Sequence, residues 1–315
     1  MCTILLSTNL NDYYDIRLKQ WRLDRLHAHE NSESFTFLPL DVENLVELNN
    51  LFRKYGPFEA VLSLAARAGV RYSMENPHIY LSTNTVGTLN LLECMRESSC
   101  SKMVLASTSS LYAGQKMPFA EDLPVNEPLS PYAASKKAAE LMAFSYHKLY
   151  ETDVSVVRYF TVFGPAGRPD MSIFRFIRWI AEGEPIELFG DGSQSRDFTY
   201  VDDIVEGVVR VMNKIPQPVE NWTPESDDAS RSSAPYKIYN IGNHSPVELG
   251  EFIETLEKAL GVEAQKNYLP MQPGDVLATS ANVDDLMADV GFAPDTPLAE
   301  GLGVFVQWYR DFYEV

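Results

Sequence analysis

The 315-residue chain is poor in several things, and each shortage closes off a class of function. It has three cysteines, Cys2, Cys94 and Cys100, too few and too irregularly spaced for a disulfide framework or a thiolate metal site. His27, His29, His78, His147 and His244 do not form a zinc-type grouping either, so no metal is indicated. Basic residues are scarce: 26 Lys and Arg against 44 Asp and Glu give a net charge of −18, which argues against nucleic acid as a partner. An anionic substrate would then need a local cluster of arginines inside a repelling field. No apolar run approaches the roughly 20 residues of a membrane span, and the first residues lack a charged leader, so a cytoplasmic protein with reduced thiols is expected. Glycine is absent from the first 55 residues, and G-x-G-x-x-G occurs nowhere.

What is present is an alternation of short apolar runs with longer helical patterns. Residues 34–41, 60–66, 102–107 and 153–160 are near-continuous apolar or β-branched segments, the pattern of strands covered on both faces. Helical stretches from Asn44 to Tyr55, Ile79 to Glu97 and Pro131 to Glu151 lie between them. This rhythm predicts an α/β fold, a doubly wound parallel sheet of Rossmann type with ligands at the carboxyl ends of the strands. The second half is more helical (172–183, 201–213, 246–260, 298–312), with a strand at 236–242 and a polar, Pro/Ser-rich loop at 221–235. Two parts are expected: a nucleotide-binding domain over 1–163 and a smaller substrate lobe over 164–315, with 196–213 and 236–242 returning to the first.

Ser130-Pro-Tyr-Ala-Ala-Ser-Lys136 opens a helix, with Ser130 as cap and Pro131 at the first helical position. Tyr132 and Lys136 stand four apart and share a face. A tyrosine of pKa about 10 is a poor base at neutral pH. A neighbouring ammonium favours the phenolate, so the pair suits proton abstraction. The spacing alone is weak, since Tyr112-x-x-x-Lys116 repeats it where no helix is expected. Context strengthens the first match: Ser107, Thr108, Ser109 and Ser110 cluster at the carboxyl end of an apolar strand, where ligands gather in such sheets.

With these residues in view, the segments 64–93, 106–112, 130–143, 158–171, 196–207, 232–243 and 269–276 resemble nucleotide-sugar epimerases and dehydratases of the extended short-chain dehydrogenase/reductase type. Within that group they look most like UDP-glucuronate 4-epimerases. The resemblance implies Tyr132 as general base, Lys136 as its tuning lysine and Thr108 as the hydroxyl on the sugar 4-OH. It assigns Asn84, Phe160, Ala65, Ala66 and Ser107 to NAD together with Tyr132 and Lys136, the lysine holding the nicotinamide ribose, and places Asp41 and Val42 near the adenine. Ser109, Ser110, Thr161 and Arg168 fall where the subgroup holds the sugar carboxylate and hydroxyls; Arg196 matches a UDP-phosphate contact and Asp275 a uridine-ribose contact. The implied reaction is C4 epimerisation of a UDP-hexuronate through a 4-keto sugar. Dehydratases of the group carry an Asp-Glu pair after the Thr, and decarboxylases of UDP-glucuronate a Glu; Ser109-Ser110 fits neither. A homodimer through the helices at 79–97 and 131–151 is also implied.

One departure stands out. In the family an Asp directly precedes the Asn-Leu-Asn-Asp-Tyr-Tyr found here at 9–14, and this chain has Thr8. A Rossmann site uses a glycine-rich turn after its first strand to approach the pyrophosphate. The expectation is that the first strand and this turn are absent, that NAD is weakly retained and that activity is impaired. The alternative reading is a degenerate member that binds nucleotide sugar or dimerises without turnover.

Overall fold

The computed structural model describes residues 3–223, 228–271 and 276–315. In chain order its first half runs β1 (Ile4–Thr8), α1 (Ile16–His27), β2 (Phe35–Pro39), α2 (Leu45–Tyr55), β3 (Val61–Ser63), α3 (Val70–Glu75), α4 (Pro77–Tyr80), a π-helical turn (Leu81–Val86), α5 (Gly87–Ser98), β4 (Lys102–Thr108), α6 (Pro131–Tyr150) and β5 (Asp153–Tyr159). The second half comprises β6 (Thr161–Phe163), α7 (Ser172–Glu182), β7 (Ile186–Phe189), β8 (Ser195–Tyr200), α8 (Val201–Met212), β9 (Tyr236–Ile241), β10 (Pro246–Glu248), α9 (Leu249–Leu260), β11 (Lys266–Leu269), α10 (Asp284–Val290) and α11 (Leu298–Tyr313).

The expected parallel α/β architecture is observed, divided into separate sheets. Strands β3-β4-β5-β9 form one all-parallel sheet, while β1 and β2 form a parallel pair of their own. Both rest on the same core: Leu5 and Leu38 pack against a cluster holding Leu40, Met103, Leu105, Val154 and Val156. Among the described residues, no strand pairs with the second edge of β1 or of β3. Apolar side chains there stay open to solvent: Ile4 and Leu6 on β1, Leu62 on β3, and Leu64 just after it. A three-stranded sheet, β10-β8-β6, and the β11-β7 pair carry the second half, packed on α7, α9 and α11 through Phe163, Phe174, Phe198, Phe252 and Phe305.

Several readings change in the structure. Ile4–Thr8 is a strand and Ile16–His27 a helix, neither legible as such: the apolar run of β1 spans only Ile4 to Leu6, and α1 is mostly polar with only Leu18 and Leu23 buried. The run expected at 60–66 pairs only over Val61–Ser63; Leu64 turns its N–H to the Leu62 carbonyl, so Leu64, Ala65 and Ala66 leave the ladder although β4 continues to Thr108. The helix expected from Ile79 begins at Pro77 and contains the π turn. The one expected from 246 opens as a strand pairing antiparallel to β8.

Glycine matters most at Gly87. A Cβ there would sit 2.7 Å from Val42 Cγ2, so only glycine lets α5 approach the loop after β2. Asn90 Nδ2 closes the same contact by donating to the Val42 carbonyl at 2.9 Å.

Candidate active site

Helix α6 brings the central pair inward. Ser130 Oγ accepts the Ala133 N–H at 3.1 Å and Pro131 fills the first turn, which fixes where the helix starts. Its inner face then reads Tyr132, Lys136, Glu140, Ala143 and His147 at helical spacing, with the polar Lys136, Glu140 and His147 buried and Tyr132 half-buried. Lys136 is buried, and that desolvation pulls its ammonium down to about 8, against the opposing pull of the Glu140 carboxylate. Tyr132 is half-buried; burial raises its pKa, while a hydrogen bond with Thr108 and the charge of Arg168 favour the phenolate. Thus β4, α6 and the loop bearing Arg168 bring together three residues that are far apart in sequence.

Thr108 ends β4 and caps the 3-10 turn Ser109–Tyr112: its Oγ1 accepts the Ser110 N–H and donates to Ser110 Oγ, both at 3.1 Å. Arg168 pairs with Asp170 and reaches the Ala68 carbonyl at 3.4 Å. The second Tyr-x-x-x-Lys match separates as expected, with Tyr112 fully buried and Lys116 exposed beyond the turn.

Ser109, Ser110, Thr161 and Arg196 share the walls of a cavity of about 360 Å³. Arg71 and Arg175 join Arg196 there, with Glu187 as the acidic neighbour. Here is the local arginine cluster that an anionic ligand requires in a chain of net charge −18. Arg71 lies over the Phe189 ring at 4.7 Å, and Arg175 over Trp179 at 4.4 Å while pairing with Glu187 at 3.3 Å. Sequence reasoning missed Arg71, Arg175, Phe189 and Trp179; an Arg-x-x-x-Trp spacing on an apolar helix was the available signal for the α7 pair. Next to Arg196, Asp197 is fully buried and accepts the backbone N–H groups of Asn243 and Ala281 at 2.7 and 2.8 Å.

The residues assigned to NAD lie on both sides of the split between the sheets. Asp41 accepts from Asn9 Nδ2 at 2.7 Å and from the Glu43 N–H at 3.0 Å. Asn84, on the π turn, holds the segment after β3 from both sides: its Oδ1 accepts the Arg67 N–H at 2.7 Å and its Nδ2 donates to the Arg67 carbonyl and to Ser135 Oγ, each at 2.9 Å. Ala65 and Ala66 are exposed at the end of β3. Ser107 is buried and its hydroxyl donates to Glu140 at 2.6 Å, and Phe160 stacks with Tyr112, so both are tied into the interior. Asp275 lies outside the described residues. Among the described residues, no group of three or more His, Cys, Asp or Glu could hold a metal ion, and no helix is long and apolar enough to cross a membrane.

A parallel α/β sheet with a Tyr-x-x-x-Lys helix packed beside a Thr-Ser-Ser strand end defines a tyrosine-dependent redox or epimerising enzyme of the short-chain dehydrogenase/reductase type. The comparisons narrow this. The profile of the NAD dependent epimerase/dehydratase family matches residues 9–242, and the chain belongs to that family. It is 48% identical over 308 residues to the UDP-glucuronate 4-epimerase of Thermodesulfobacterium geofontis, spanning 98% of this chain and 88% of that one. Among solved structures it resembles the UDP-glucuronic acid 4-epimerase of Bacillus cereus, in complex with UDP-glucuronic acid and NAD, with a TM-score of 0.85, 30% identity and coverage of 99% of this chain and 92% of that one. The dTDP-glucose 4,6-dehydratase DesIV of Streptomyces venezuelae superposes with a TM-score of 0.84 at 25% identity. With 98–99% of the chain matched, these likenesses favour an enzyme; they lend no support to a degenerate, non-catalytic member or to an impaired one.

Proposed function

We propose that the protein interconverts the C4 epimers of a UDP-hexuronate, UDP-glucuronate and UDP-galacturonate. The observation that carries this reading is the meeting of Tyr132, Thr108 and Arg168 next to a cavity lined by Ser109, Ser110, Thr161 and three arginines. The residues present suit NAD: short, exposed Ala65 and Ala66 leave room for a flat group, Asn84 fixes the backbone beside them, and Asp41 and Val42 stand at the end of β2 for the adenine side. Bound NAD supplies the acceptor and donor of the C4 hydrogen.

The chain's own residues do the rest. Tyrosinate at Tyr132 removes the 4-OH proton, and Lys136, charged below its pKa of about 8, steadies that tyrosinate. Thr108 holds the same hydroxyl. Arg168, Ser109, Ser110 and Thr161 bind the carboxylate and ring hydroxyls, and retaining the carboxylate fits these donors better than expelling it. Arg71, Arg175 and Arg196 neutralise the diphosphate, and Phe189 and Trp179 offer apolar faces for the rest of the nucleotide. Ser109-Ser110 supplies no acid–base pair for dehydration.

We also read 1–163 with 196–213 and 236–242 as the nucleotide-binding part, 164–315 as the substrate lobe, the α5–α6 face as a homodimer contact, and the cytoplasm as the setting.

The test is direct. Purified protein given UDP-glucuronate and added NAD should form UDP-galacturonate, resolved by anion-exchange chromatography, and Tyr132→Phe should slow this about 10²–10⁴-fold. No galacturonate product at any NAD concentration would overturn the reading.

A further inference from the structure

Beneath the active site lies a chain of buried polar groups of which only Ser107 has been given another role, toward NAD. Glu140 and Arg158 are each 1% exposed. Glu140 Oε1 accepts from Ser107 Oγ at 2.6 Å and Arg158 Nε at 3.0 Å, and its Oε2 accepts from Arg158 Nη2 at 2.8 Å. Arg158 Nη1 donates to Tyr112 Oη at 2.8 Å, and Tyr112 in turn donates to Asn240 Oδ1 at 2.8 Å. The links run through α6, β4, the turn after β4, β5 and β9. The helix that carries Tyr132 and the strand that carries Thr108 are therefore tied directly through Glu140, and β5, the turn after β4 and β9 are joined to them through Arg158 and Tyr112.

A buried ion pair is weak support for stability, because its attraction does little more than offset the desolvation of both ions. Two well-packed apolar residues would hold the fold as firmly. The placement argues for a different purpose: Glu140 stands one turn below Lys136, and Ser107 is directly before Thr108.

Resting on the epimerase reading above, we propose that Glu140 is a positioning residue, which through Arg158 and Ser107 sets the strand end bearing Thr108 against Tyr132 and places a compensating negative charge under Lys136. The charged and titratable groups that face Glu140 are Lys136 and Lys137 on α6, Arg158 on β5, Tyr112 on the turn and Tyr236 on β9. Four of these five are cations or cation-bound, so removing the carboxylate leaves Lys136 among uncompensated positive charge.

Two variants separate positioning from folding. Glu140→Gln keeps the shape and the acceptor for Ser107 but removes the charge. The double variant Glu140→Met with Arg158→Met removes both ions and should restore thermal stability. In each, turnover of UDP-glucuronate should fall at least tenfold with KM unchanged. In full-length protein labelled with 15N-lysine, the Lys136 Nζ titration should move down from about 8 by about one pH unit in Glu140→Gln. That titration needs no turnover, so it stands even if wild-type protein fails to epimerise UDP-glucuronate, a failure that counts against the substrate reading alone. Wild-type kcat in a stably folded double variant, or an unmoved Lys136 midpoint in Glu140→Gln, would overturn the proposal. Should the double variant fail to fold, the titration in Glu140→Gln decides.

Discussion

The two parallel sheets of the first half are built from similar residues and have very different surroundings. In β4 and β5, six of seven residues in each are buried, and β9 is buried throughout. In β1 and β2 no residue is fully buried: Ile4 and Leu6 are exposed, Leu5, Phe35, Phe37 and Leu38 are half-buried, and Ser7 Oγ is buried without a hydrogen-bond partner among the described residues. The difference is one of neighbours. Strands β4 and β5 are paired on both edges, and β9, an edge strand, is packed against Ile204, Val208 and Leu286, whereas β1, β2 and β3 each have one strand edge unpaired among the described residues. A strand's stability comes from what covers it, and apolar composition alone does not provide that.

The largest expected effect that sharpens this contrast is in the covered sheet. Leu105→Ala, at a side chain 1% exposed on β4, should cost about 2–5 kcal/mol in urea unfolding. A cost below about 1 kcal/mol would mean that the central sheet is no tighter than the outer pair.

An intermediate effect involves the end of β9. Glu121 is buried and accepts the Asn240 N–H at 2.8 Å; burial lifts its carboxyl to about 7. The folded state therefore favours the protonated acid, a contribution to stability that is complete below the unfolded pKa near 4.5 and lost as pH rises through 7. Glu121→Gln imitates the protonated form. It should match wild type closely at pH 4.5 and be more stable by about 3 kcal/mol at pH 8.5, read from unfolding curves at the two pH values. A gap that shrinks with rising pH would refute it.

The smallest effect belongs to the outer pair. Leu6→Thr on β1 should change stability by no more than about 0.5 kcal/mol, since the residue is exposed and threonine suits a strand. Amide exchange by mass spectrometry should find Ile4–Thr8 and Phe35–Pro39 exchanging well before Met103–Ser107. Equal protection would remove the contrast.

The same contrast explains what could be read in the sequence. Runs such as 102–107 and 153–160 were legible because a strand covered on both faces has to be apolar along its length. Ile4–Thr8 was not, because its apolar run, Ile4 to Leu6, is too short to single out a strand. The Tyr132–Lys136 pair, the Thr108 cluster and the Ser130 cap follow from local spacing, so they were visible. Arg71 and Arg175 were not, because their meeting with Arg196 depends on how α3, α7 and β8 come together in space. Asn84 was assigned by resemblance; its grip on both polar groups of the Arg67 backbone depends on a π turn that periodicity reads as ordinary helix.

That turn has a consequence for how the protein tolerates change. A π turn holds one residue more than the α-helical turn it replaces. A single residue lost between Leu81 and Val86 would let the segment close to ordinary α geometry, and the helix on either side would keep its register. What would go is the local bulge that carries Asn84 to the Arg67 backbone and Ser135, while Gly87 would stay against Val42. The turn thus confines a change of length: a deletion there releases one grip and leaves the flanking helical faces where they were.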